Sequence, residues 1–150
     1  MTTSQEGSSW RPLLQSSPGT WIGVKDDDHL ALWLGDFDRA KRLIDPANPV
    51  GLRPLIEQPY SVVQAEFEEL EAGLGFQIPH LRSIVENELI PEVLAARSDY
   101  WSDLALNWLA EMENSVRTRE WIERIEHTTE VSQQTRHRAR RLRRARMTQS

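Results

Sequence analysis

Apolar positions along this chain recur mostly with the period of an α-helix, most clearly between residues 98 and 112. There Trp101, Leu104, Ala105, Trp108, Leu109 and Met112 fall on one wide stripe. Ser98 or Asp99 can accept from the free N–H groups of the first turn, which predicts the N-cap. Two tryptophans on one face bury roughly 150–250 Å² each, so this helix needs several partners and is expected to be the central wall of the core. Upstream, Ser61 with Gln64 predicts a capping box for a helix over 61–74. Its inward face is Val62, Val63, Phe67, Leu70 and Leu74, with Glu66, Glu68, Glu69 and Glu71 in water and Gly73 and Gly75 at its end. Pro79 suits the first turn of a helix through Leu81, Ile84, Val85, Leu89 and Ile90, and Pro91 should kink or restart it before Val93 and Leu94. Ser115 caps a further helix carrying Val116, Trp121, Ile122 and Ile125. Beyond His127 the stripe disappears, although nothing from 131 to 147 breaks a helix.

The N-terminal part is less regular. Residues 1–20 are rich in Ser, Thr, Gln, Gly and Pro and read as a mobile end, with Trp10, Leu13 and Leu14 available as a small anchor. The piece WIGVK at 21–25 reads as extended, and Asp26, Asp27 and Asp28 supply turn chemistry. From His29 to Ile44 the apolar residues read mainly as helix, broken at Gly35 and ending before Pro46. Pro46, Pro49, Gly51, Pro54 and Pro59 make 45–60 an irregular connection. The fold class expected is mainly α: a small antiparallel helical bundle or HEAT-like helical hairpins over 59–131. An N-terminal lobe at 21–58 precedes it, and an Arg-rich helix extension or tail at 132–150 follows.

Two short resemblances accompany this reading. The piece LGDFDRAKRLID resembles one helix of a tetratricopeptide repeat, with no second copy at a period of about 34 residues. The segment IVENELIPEVLAARSDYWSDLALNWLAEM resembles a HEAT-type hairpin, with a proline-kinked helix, a short turn and its partner. Both imply helical packing and neither implies an activity.

At 150 residues the chain fits one domain, able to bury roughly 70% of the surface its unfolded form exposes. The absence of cysteine excludes disulfides, thiolate zinc sites and a cysteine nucleophile. No apolar run approaches membrane-spanning length, and the polar start lacks a signal-like pattern, so the protein is expected in the cytoplasm, away from membranes. Only Lys25 and Lys41 among the 18 cationic residues are lysines, a bias associated with GC-rich bacterial coding sequences. The net charge of −5 hides an asymmetry. Residues 1–135 carry eleven Lys and Arg against 23 acids, −12, whereas 136–150 carry seven arginines and no acid, +7.

Candidate chemistry is sparse. The cluster Asp26, Asp27, Asp28 and His29 has oxygen ligands but no EF-hand spacing, and reads as a solvated cap. Glu123 and His127, like Glu126 and Glu130, stand at i, i+4 and read as helix-surface pairs, not as a carboxylate-bridged metal site. His80 has no partner placed by sequence, and no nucleophile elbow, phosphate loop, dinucleotide fingerprint or zincin motif occurs. No catalytic residue, metal or cofactor is therefore expected. The run TRHRARRLRRAR offers Arg136, Arg138, Arg140, Arg141, Arg143, Arg144 and Arg146 to phosphate. It lacks aromatics for base stacking, and folding back onto the acidic body competes with that role. The acidic helices point to a protein partner, a basic one or a second copy, through Glu66, Glu69 and Asp103. The expected function is a non-enzymatic interaction module of immunity or adaptor type, or an assembly subunit; the alternative is a nucleic-acid accessory protein using the tail.

Overall fold

The computed structural model describes residues 10–25, 28–45, 49–74 and 79–148. Its N-terminal third is a sheet: β1 (Trp10–Ser17), β2 (Thr20–Lys25), β3 (Asp28–Gly35) and β4 (Ala40–Leu43), an antiparallel meander in chain order. This overturns the mainly helical class expected from the sequence, since sheet and helices share one fold. The helix read from 29 to 44 is two strands. Leu30, Leu32 and Leu34 alternate with Ala31 and Trp33, and a helical stripe counts all of them together. On a strand they part: Leu32 and Leu34 are buried, while Trp33 is half-exposed and faces Gly23 and Leu43 across the ladder. Residues 10–17, read as part of a mobile end, are an edge strand. Their Ser, Gln and Pro content carries little β signal, and the ladder offered by β2 supplies what the sequence lacks.

Two glycines make the first hairpin close. Gly19 sits at φ +80°, left-handed backbone that suits a tight turn after Pro18. At Gly23 an added Cβ would strike the carbonyl oxygen of Arg11 and the ring of Trp10. β1 therefore lies close beside β2, and the Trp10 indole lies across the glycine to donate from Nε1 to the carbonyl of Asp36 at 3.1 Å.

The proline-rich connection is ordered where it is described. Val50–Glu57 forms a 3-10 segment that buries Leu52, Leu55 and Ile56 and packs against β1. Six α-helices follow: α1 (Tyr60–Leu74), α2 (Pro79–Asn87), α3 (Leu89–Leu94), α4 (Asp99–Glu111), α5 (Val116–Glu126) and α6 (Gln133–Met147). The Ser98 and Ser115 caps stand where the sequence places them, accepting from the backbone N–H of Trp101 and Thr118. Ser61 is instead inside α1, its N–H donating to Glu111. The chain breaks at Glu88, and Pro91 falls in the first turn of α3, where its missing N–H costs nothing.

The central helix is α4, turned slightly from its expected orientation. Ala105, Leu106, Trp108, Leu109 and Met112 are buried, while Trp101 and Leu104 are only partly covered. One continuous cluster joins Leu14, Ile22, Val24, Leu32 and Leu34 of the sheet to Phe67, Leu89, Trp108 and Ile122 of the helices. Trp108 is its largest fully buried side chain; Nε1 donates to the Gln58 carbonyl at 2.7 Å and the ring meets Tyr60 edge-on at 5.2 Å.

Trp108→Ala should cost about 3–5 kcal/mol in urea unfolding, whereas Trp101→Ala should cost well under half as much. Gly23→Ala should destabilise by about 1–3 kcal/mol, because the new methyl group meets backbone that cannot withdraw without parting β1 from β2. A loss below about 0.5 kcal/mol would contradict the close approach.

Candidate interaction surfaces

The arginine-rich run is helix α6, laid against α5 and α4. Its inner stripe is Thr135, Ala139 and Arg146, all buried, with Leu142 partly covered. Arg146, 5% exposed, donates from Nη2 to the carbonyls of Leu109 and Met112, the free acceptors at the C-terminus of α4. A cation there also suits the helix macrodipole. Arg138 donates to the carbonyl of Asp103 at 3.0 Å and to Asn107, and Thr135 donates to the Asp103 carboxylate. Arg143 forks onto Glu126 at 2.6 and 3.1 Å, with Arg140 3.9 Å from the same carboxylate. Arg136 is half-buried, and its Nε has no hydrogen-bond partner. Arg141 and Arg144 are exposed, as is His137. Three of the seven tail arginines, Arg138, Arg143 and Arg146, thus hydrogen-bond to the body, Arg140 stands at ion-pair distance from it with half its side chain exposed, and Arg141 and Arg144 remain toward solvent.

The acids proposed for partner binding separate in the same way. Glu69 is exposed on α1, whereas Glu66 is half-buried with Oε1 shielded from water and unpartnered. Asp103 already serves Thr135 and Arg138 within the chain. The i, i+4 pairs also resolve differently. His127 contacts the Glu123 backbone carbonyl through Nδ1, Glu126 goes to Arg143, and Glu130 pairs with Arg97 at 2.9 Å. Asp26 and Asp27 lie outside the described residues, as do the side chains of Asp28, His29 and His80. Among the described residues no group of three His, Asp or Glu could hold a metal ion, and no helix is long and apolar enough to cross a membrane.

The surface that sequence reasoning missed is the outer face of the sheet. Cross-strand partners share a face, so Gln15, Trp21 and Gly35 line one row of it and Gly23, Trp33 and Leu43 another. Phe37, at the β3–β4 turn, meets Trp21 edge-on at 5.5 Å and is 63% exposed; Leu43 is 54% exposed. Lys25 lies 4.0 Å above the Trp33 ring. Trp10 crosses the middle and is itself buried. The alternation at 30–34 was the signal that could have revealed this face, because a strand with leucines inward must place Trp33 outward. At the edge of the sheet, a cleft of about 340 Å³ runs past Gly19, Leu34, Asp36, Lys41 and Arg42. A second of about 340 Å³ separates the 3-10 segment from α4, with Ile56, Pro59 and Leu104 in its wall and Glu57 and Glu111 at its rim. Neither brings a nucleophile to a base.

The hydrogen bonds from Arg143 hold the Glu126 carboxyl below its ordinary value of 4.5, against the opposing effect of burial. A depressed folded-state pKa adds stability above the unfolded value, and this is lost as pH falls through the folded one. Glu126→Gln should therefore lower the melting temperature at pH 7, and its gap from the wild type should close as pH drops below about 4. An equal gap at pH 7 and pH 3 would sink the assignment. No family model matches the chain, and no curated protein or solved structure shows significant similarity to it.

Proposed function

We propose that this chain is a non-enzymatic protein-interaction module that docks its partner on the outer face of the sheet. What supports this reading most is the aromatic patch built from Trp21, Phe37, Trp33 and Leu43. A sheet ordinarily covers one face and shows water a polar one. Here the outer face carries large apolar side chains, and contiguous exposed apolar surface marks interaction sites. Aromatic anchors of this kind dominate binding energies at interfaces. Around them stand Lys25 on Trp33 and Arg39 in the β3–β4 turn, with Lys41 paired to Asp36 at 3.3 Å, so the matching surface is apolar at its centre with acidic groups at its rim to meet Lys25 and Arg39. Glu69 on α1 offers a second surface for a basic partner, largely polar, with Val62 exposed two turns earlier on the same helix.

Exposed positions can be changed without touching the core. Phe37→Ser with Leu43→Ser should leave unfolding free energy within about 1 kcal/mol of the wild type. The same pair should weaken a partner identified by cross-linking and mass spectrometry at least tenfold. Glu69→Arg should leave that partner bound. The reverse pattern would move the interface to α1, and loss by neither would overturn the docking reading. Turnover in a broad hydrolase and transferase screen, or a metal bound at unit stoichiometry, would overturn the non-enzymatic one.

A further inference from the structure

We infer that the outward row of α6, Arg140, Arg141 and Arg144 with His137, is a second binding surface, one that grips the phosphate backbone of a nucleic acid without reading its sequence. The inference is independent of the sheet-face reading and concerns the opposite end of the chain.

The helix sorts its own arginines. Arg146, Arg143 and Arg138 point to the body and are held by carbonyls or carboxylates there. They fix α6 as a rigid rod, with Ala139 and Thr135 buried beneath it. The residues left outside are then held at fixed spacing. Arg141 and Arg144 are exposed, with no hydrogen bond or ion pair to a described side chain, Arg141 at the lip of a cleft it shares with Asp99 and Asp103, and Arg140 keeps half of its side-chain surface exposed. No acid occurs anywhere in α6 or after it. The neighbouring carboxylates Glu126 and Asp103 are engaged by Arg143 and Arg138, and Glu126 also stands 3.9 Å from Arg140, so within the outward row it is Arg141 and Arg144 that have no ion pair to a described side chain.

Geometry and composition choose the ligand. From His137 to Arg144 the helix rises roughly 10 Å, long enough for its three arginines to reach neighbouring phosphates of one strand, which succeed one another at about 3.4 Å of duplex rise. Guanidinium groups grip phosphate through paired N–H donors. The other exposed residues of α6 include Gln133, Gln134, Ala145, Thr148 and one large apolar side chain, Met147, which accepts from Arg143 Nη1 at 3.5 Å; no Phe, Tyr or Trp stands among them. A protein interface is anchored by a cluster of aromatic and apolar side chains, and single-stranded bases are held by stacking on aromatic rings, and neither is found here. Contact to the phosphate backbone is what a row of guanidinium groups favours.

Removing residues 136–150 is not a clean test, because Ala139 and Arg146 belong to the core and its cap. The test is fluorescence anisotropy of a labelled mixed-sequence DNA duplex of about 30 base pairs with the full chain, titrated at about 50 and about 200 mM salt. Three phosphate contacts give a log–log salt slope near −2.7, so affinity should fall about forty-fold over that range. Arg141→Glu with Arg144→Glu should lower affinity more than tenfold at the lower salt, with circular dichroism and melting temperature unchanged. Lys41→Glu with Arg42→Glu, in the other lobe, should leave binding as it was. No binding at the lower salt, or full binding by the α6 variant, would overturn the inference. So would equally tight capture of a poly-glutamate chain, which would assign the row to an acidic protein instead.

Discussion

The buried Trp108 holds the fold together. Its ring fills the space where α4, α1 and the 3-10 segment meet, and its one polar atom finds the Gln58 carbonyl at the end of that segment. Gln58 and Pro59 join the sheet half of the chain to its helical half, so this hydrogen bond ties the connection to the central helix. A buried indole without a partner would be costly, and a buried carbonyl without one equally so. Each removes the other's penalty. Tyr60, edge-on to the same ring, then fixes where α1 begins. The direction in which α1 leaves the sheet follows from this contact.

A second constraint works at the other end of α4. The last carbonyls of a helix lack intrahelical partners, and those of Leu109 and Met112 are inside the protein. Arg146 reaches them from α6 with a charge that also suits the negative end of the helix. Asn114 in turn donates to the Arg146 carbonyl, so the α4–α5 turn and the C-terminal helix close on each other. The acidic body and the basic end of the chain are therefore one electrostatic unit. Two acids of the body, Asp103 and Glu126, pair with three of the seven tail arginines. Pairs of this kind add modest stability and mainly fix geometry.

The sheet has two apolar faces with different fates. The inner one, with Ile22, Val24, Leu32 and Leu34, is covered by the 3-10 segment and the helices. The outer one is covered only in its middle, by Trp10 lying over Gly23. Its flanks, around Phe37 and Leu43, stay open.

Sequence by itself determined that 61–127 is helical, that Ser98 and Ser115 cap two of its helices and that Trp108 is buried, because helix periodicity and capping are local and need only neighbours within one turn, whereas the Ser61 cap and the point where the 79–94 helix breaks were settled by packing. It also determined the charge asymmetry. It could not determine the sheet, since a strand is stabilised by partners distant in sequence and Trp10–Ser17 becomes one only when β2 lies beside it. Leu30 and Leu34 share a face on either period, whereas Leu32 joins them only on a strand, and the tertiary ladder selects that strand. The candidate sites divide on the same physical ground. Which residue types the tail and α1 carry was plain, but which arginines face inward and which acids are already satisfied depends on packing between elements. The aromatic surface, assembled from three strands and a turn, exists only in the folded chain.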